Sequence, residues 1–97
     1  MTIRWMPLAE QDLDAAYEYV LEDSENSAKQ LVAQIFSAVG MLMRYPLAGR
    51  EGRVPGTREL PVTRTPYVIA YRICGDEIQI LAVIHGAERR PTAFSGE

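Results

Sequence analysis

Tyr67 to His85 reads YVIAYRICGDEIQILAVIH, two apolar runs of strand length joined by Gly75-Asp76. Glycine in a two-residue connection supplies the positive φ that a tight hairpin needs, so the pattern predicts strands Tyr67–Cys74 and Glu77–His85 in antiparallel register. Alternation then sorts the side chains onto two faces. Tyr67, Ile69, Tyr71 and Ile73 share one face with Ile78, Ile80, Ala82 and Ile84. Val68, Ala70, Arg72 and Cys74 share the other with Gln79, Leu81, Val83 and His85. A sheet that is apolar on both faces needs cover on both. The helical segments earlier in the chain can cover the first. A chain of 97 residues has little left for the second, so Val68, Ala70, Leu81 and Val83 are expected to await a partner, with Phe94 as partial cover.

The rest of the chain falls into place around this hairpin. Thr2 to Met6 alternates Ile3 and Trp5 with polar residues and reads as a short strand. Pro7 suits the first turn of a helix running to about Glu22, with Leu13, Ala16, Tyr17, Val20 and Leu21 on one stripe. Asp23 to Ser27 is a break, and Ser27 with Gln30 forms a candidate capping box. A second helix is predicted over 28–44, with Leu31, Ile35, Phe36, Val39, Leu42 and Met43 on its apolar stripe. Gly40 is expected to mark a close helix–helix contact. Tyr45-Pro46 ends it, because the residue before proline disfavours helical dihedrals. Leu47 to Arg53 is a loop, Thr57 to Val62 a strand after Pro55-Gly56, and Arg64-Thr65-Pro66 a turn. The expected fold is one α+β domain over 1–97: an N-terminal strand, an antiparallel helical hairpin, then a three-stranded antiparallel meander. The tail over 87–97 is polar and expected to be mobile.

Charge is unevenly spread. The formal net charge is −3, but residues 1–48 carry three basic and seven acidic groups, whereas Arg50 to Arg72 carry five arginines against Glu51 and Glu59. That dipolar surface is not the strongly basic one of a dedicated nucleic-acid binder. The single cysteine, Cys74, excludes an internal disulfide, and no spacing suggests a metal, a phosphate loop or a cofactor. No apolar run reaches the roughly 18 residues of a membrane span. A cytoplasmic location is expected.

Asp12-Leu13 with Tyr17 and Tyr19-Val20, then Tyr45-Pro46-Leu47-Ala48-Gly49-Arg50, Gly56-Thr57-Arg58-Glu59-Leu60, Tyr67 to Arg72, Ile78 to Leu81 and Ile84-His85-Gly86 follow one another in a characteristic order. In that order and spacing they resemble the RelE/ParE superfamily of bacterial toxins, from Ile3 to about Arg89. The resemblance implies a type II toxin neutralised by a cognate antitoxin, in a toxin–antitoxin complex for which a heterotetramer is one arrangement. It also implies one of two targets: DNA gyrase, as in ParE-like members, or messenger RNA on the ribosome, as in RelE-like nucleases.

Cleavage by 2′-OH attack needs a base, an acid and cations for the phosphate. The candidates here are Arg58, Arg64, Arg72 and His85. The arginine that follows the tyrosine on the third strand of RelE-like members aligns with Val68, which favours the ParE branch and a non-enzymatic reading. A lone histidine at a strand end is also commonly structural. The expected antitoxin surface is Arg58, Arg64, Val68, Ala70, Arg72, Leu81, Val83 and His85, and Leu81→Asp with Val83→Asp is expected to abolish antitoxin binding. A third reading is a non-toxic binding module on the same fold.

Overall fold

The computed structural model describes residues 1–86. The expectations placed on Phe94 and the tail lie outside the described residues. The elements in order are β1 (Thr2–Trp5), α1 (Pro7–Leu21), α2 (Glu25–Leu42), β2 (Arg50–Glu51), β3 (Arg58–Pro61), β4 (Tyr67–Cys74) and β5 (Glu77–His85). They form a five-stranded sheet in the order β1-β5-β4-β3-β2. The four later strands run antiparallel in sequence, and β1 pairs parallel to β5, Ile3 opposite Ile78 and Trp5 opposite Ile80. The α+β architecture is the one expected, with the short edge strand β2 added where a loop was predicted. Only two residues of β2 pair, Arg50 with Glu59 and Glu51 with Arg58.

The two helices pack over one face of the sheet. Ala9, Ala16, Leu31, Ile35, Val39 and Leu42 meet Leu60, Ile69, Tyr71, Ile78 and Ile80 in one buried cluster. The connection between helices is shorter than predicted. Ser24, not Ser27, is the N-cap of α2, and its hydroxyl accepts the Ser27 N–H at 3.2 Å. Ser24 and Ser27 both offer a capping oxygen. The earlier one wins where Glu25 can sit in the first turn, on the positive end of the dipole, and pair with Lys29 at 3.1 Å. Gly40 is exposed, and a Cβ there would meet nothing within 4 Å, so it marks no helix contact.

The hairpin has the predicted ends and turn, with Gly75 at φ 60°. Its register departs from simple alternation in the middle. Tyr71 lies opposite Ile80 while Ala70 lies opposite Ala82, so Leu81 is an extra residue on β5. A β-bulge of this kind shifts the parity of every later side chain on its strand. Val83 therefore joins the helix-side cluster in place of Ala82 and Ile84, and Ala82 and Ile84 turn to the opposite face. The expected uncovered face is corrected accordingly. Ala70, Leu81 and Ala82 are 2%, 0% and 0% exposed, in a second small cluster against which Met6, Leu8 and Ile84 pack.

Candidate functional site

Cross-strand pairing sorts the arginines. Arg58 lies opposite Tyr71, on the helix side of the sheet, whereas Arg72 lies between Tyr71 and Ile73 on the other side. The Arg58 guanidinium donates to the carbonyls of Gly49 at 2.7 Å and Leu47 at 3.4 Å. The Arg72 Nε donates to Gln79 Oε1 at 2.7 Å, and the Gln79 amide in turn donates to Glu77 at 2.7 Å. Both arginines are thus held by their own neighbourhoods, on opposite faces.

Arg64 is in the β3–β4 turn with φ 63°, a left-handed conformation uncommon outside glycine. The turn is tied by Thr65, whose hydroxyl donates to the Val62 carbonyl at 3.0 Å and accepts the Tyr67 N–H at 3.1 Å. Arg64 borders two depressions. One is an open groove of about 760 Å³ between α2 and β3, lined by Gln34, Ser37, Met41, Arg44, Pro61 and Arg64 among others. The other, of about 290 Å³, lies between the helical hairpin and the turn and includes Tyr19, Ser27, Arg64, Tyr67 and His85. His85 stacks edge-on against Tyr67, with ring centroids 5.4 Å apart. After the bulge its side chain belongs to the helix side of the sheet, not to the face predicted for it.

Of the eight residues expected to meet an antitoxin, the structure brings Arg64 and His85 together at one cavity. It leaves Arg58 part-exposed on the helix side and Val68 and Arg72 part-exposed on the far face, and buries Ala70, Leu81 and Val83. At 2%, 0% and 2% exposure these three lie among the core residues of the free chain. The groove itself was not foreseen. Its signal was Gly40 beside Ser37, Met41 and Arg44, a helix surface without bulk on one side and with a cation at its end.

The family model described as the ParE toxin of the type II toxin–antitoxin system parDE matches residues 3–90. The chain belongs to the ParE toxin family. It is a toxin of a type II system, within the superfamily its motifs resembled and closer to the ParE branch. The toxin is 42% identical over 89 residues to Y4kP of Sinorhizobium fredii (strain NBRC 101917 / NGR234), described as a candidate toxin, covering 92% of each chain. It is 30% identical over 84 residues to toxin RelE1 of Caulobacter vibrioides (strain ATCC 19089 / CIP 103742 / CB 15), covering 84% of this chain and 89% of that one. Among solved structures it resembles a chain of the chromosomal ParDE toxin–antitoxin system from P. aeruginosa. The TM-score is 0.78 and the identity 36%, over 88% of this chain and 95% of that chain. The toxin's family implies a cognate antitoxin as partner. Among the described residues no helix is long and apolar enough to cross a membrane, and no group of three or more His, Cys, Asp or Glu is placed to hold a metal.

Proposed function

We propose that the toxin arrests growth by binding and inhibiting DNA gyrase. The observation that supports this reading is the dispersal of the basic side chains a nuclease would need. RNA cleavage requires its base, acid and phosphate cations to converge on one scissile bond. Arg58 and Arg72 are on opposite faces of the sheet, one spent on backbone carbonyls and the other on Gln79. A protein inhibitor needs no such convergence.

A second reading, cleavage of messenger RNA on the ribosome, is favoured by one observation. Arg64 and His85 border the same cavity, a cation beside an imidazole. The deciding experiment uses purified toxin freed of its antitoxin, assayed in parallel for gyrase supercoiling and for messenger cleavage on translating ribosomes. Loss of supercoiling with intact messenger is expected. Codon-positioned cleavage with normal supercoiling would replace the first reading by the second. Unimpaired growth after induction without antitoxin would leave only the non-toxic binding module.

For the antitoxin, the α2–β3 groove is the proposed seat of an acidic segment. Arg44 and Arg64 stand along it, and among the described residues neither makes an ion pair with an acid. Beyond Glu59 only Leu60 and Pro61 of β3 lack a β2 partner, and proline has no N–H to donate, so the segment is held by the groove and its arginines rather than by strand addition. Val68 and Arg72 are the members of the surface first expected that stay accessible on the far face of the sheet.

A further inference from the structure

The loop between α2 and β2 is built with more care than a connection of its length requires. The Tyr71 hydroxyl, inside the core, donates to the Pro46 carbonyl at 2.8 Å and accepts the Gly49 N–H at 2.8 Å. Arg58 reaches across to the Gly49 carbonyl at 2.7 Å, and the Ala48 N–H closes a turn onto the Tyr45 carbonyl at 3.0 Å. A Cβ on Gly49 would stand 2.7 Å from the Tyr71 ring and hydroxyl, so glycine is what lets the loop settle this deeply. Phenylalanine would fill the same core space as Tyr71. The hydroxyl therefore serves the loop and not the packing.

What this fixed loop displays is apolar. Tyr45 is 61% and Leu47 66% exposed, and Met43 stands just before them, also exposed. Large apolar side chains held out on a rigid backbone are costly to leave in water and cheap to bury against a partner, because little further ordering is lost on binding.

The charge around the loop says what kind of partner suits it. Residues 44–59 carry four arginines against Glu51 and Glu59, a net of +2, while residues 1–43 carry two basic and seven acidic groups, a net of −5. A protein of net −3 is repelled by a polyanion unless it approaches with its basic end forward. The Tyr45–Gly49 loop is on that end.

We infer that the loop Tyr45 to Gly49 is a preformed knob through which the toxin engages a polyanion-bearing protein, which on the gyrase reading above is gyrase holding its DNA. Leu47 and Tyr45 supply the apolar contact. Arg44 and Arg53 supply the attraction, joined by Arg50, whose charge is partly offset by Glu59 at 3.7 Å.

The test compares wild type, Leu47→Asp, Tyr45→Ser and Tyr71→Phe in gyrase supercoiling assays at low and at physiological salt, with melting temperature and affinity for the cognate antitoxin measured on each protein. Leu47→Asp is expected to weaken inhibition by at least about tenfold, with unchanged melting and unchanged antitoxin affinity. Tyr71→Phe, which frees the loop without altering its surface, is expected to lose less, and inhibition by wild type is expected to weaken as salt rises. Wild-type inhibition matched by Leu47→Asp and Tyr45→Ser would overturn the inference alone. So would a loss of antitoxin affinity with inhibition intact, which would assign the knob to the antitoxin. A wild type without effect on supercoiling would overturn the gyrase reading and this inference together.

Discussion

Asp12, on the second turn of α1, accepts the backbone N–H of Val83 at 3.0 Å. β1 ends at Trp5, opposite Ile80, and the chain then turns into α1, so the upper half of β5 continues without a strand on that side. A helix side chain takes the role of the missing strand carbonyl just past the bulge. Asp12→Ala is expected to cost about 1–3 kcal/mol, measured by urea denaturation, and Asp12→Asn less, since an amide oxygen can still accept. An unchanged midpoint in Asp12→Ala would mean that the Val83 N–H is satisfied equally well by water.

Leu81 was expected to be a contact for the antitoxin and is instead the buried bulge residue. Leu81→Ala is expected to lose about 2–5 kcal/mol. Leu81→Asp and Val83→Asp are expected to yield unfolded protein, visible by circular dichroism, before any binding can be measured. A folded Leu81→Asp protein would show that the second cluster tolerates a charge and that the face is open after all.

How far the sequence carries can be judged on this one strand. The ends of β4 and β5 and their turn follow from composition and from Gly75, because local turn chemistry and strand propensity agree there. The bulge does not follow. Ile80, Leu81, Ala82 and Val83 are all apolar, so an extra residue among them leaves no break in the pattern, and only the pairing with Ala70 and Tyr71 reveals it. The whole misplacement of Val83 and His85 comes from that step. Asp12 was legible as a motif residue but not as a partner of Val83, since the bond joins positions 71 apart.

Gly40→Ala is expected to stabilise the toxin by up to about 1 kcal/mol. The position is interior to α2 and open, with nothing within 4 Å of an added Cβ. Thermal unfolding reads this directly, and a drop in melting temperature would reveal a neighbour that the free chain does not show. Because Gly40 also lines the groove, a bulkier Gly40→Phe is expected to keep the fold and weaken the antitoxin.

Tyr71→Phe strands the Gly49 N–H and the Pro46 carbonyl at once, with an expected cost of about 1–3 kcal/mol. Hydrogen exchange at the Gly49 amide should accelerate more than at the β4 core. Equal acceleration across both would indicate a general loss of stability and no specific hold on the loop.

Arg64→Gly separates strain from function. Glycine accepts φ 63° freely, so the fold is expected to be as stable or slightly more so. Loss of antitoxin affinity in the same protein would show that the side chain, and not the turn, is what the partner reads. Unaltered affinity would remove Arg64 from the proposed groove contact.

The pairing of β1 with β5 joins Thr2 to Trp5 with Glu77 to Ile80, nearly the two ends of the described chain. During synthesis the helical hairpin can form early, but β1 has no neighbour until β5 has emerged. Until β5 has emerged, a growing polypeptide therefore carries β1 without the strand it pairs with. The sheet is closed last along the seam that its first strand has been waiting for, so any surface that depends on β1 and β5 together is completed in a single late step.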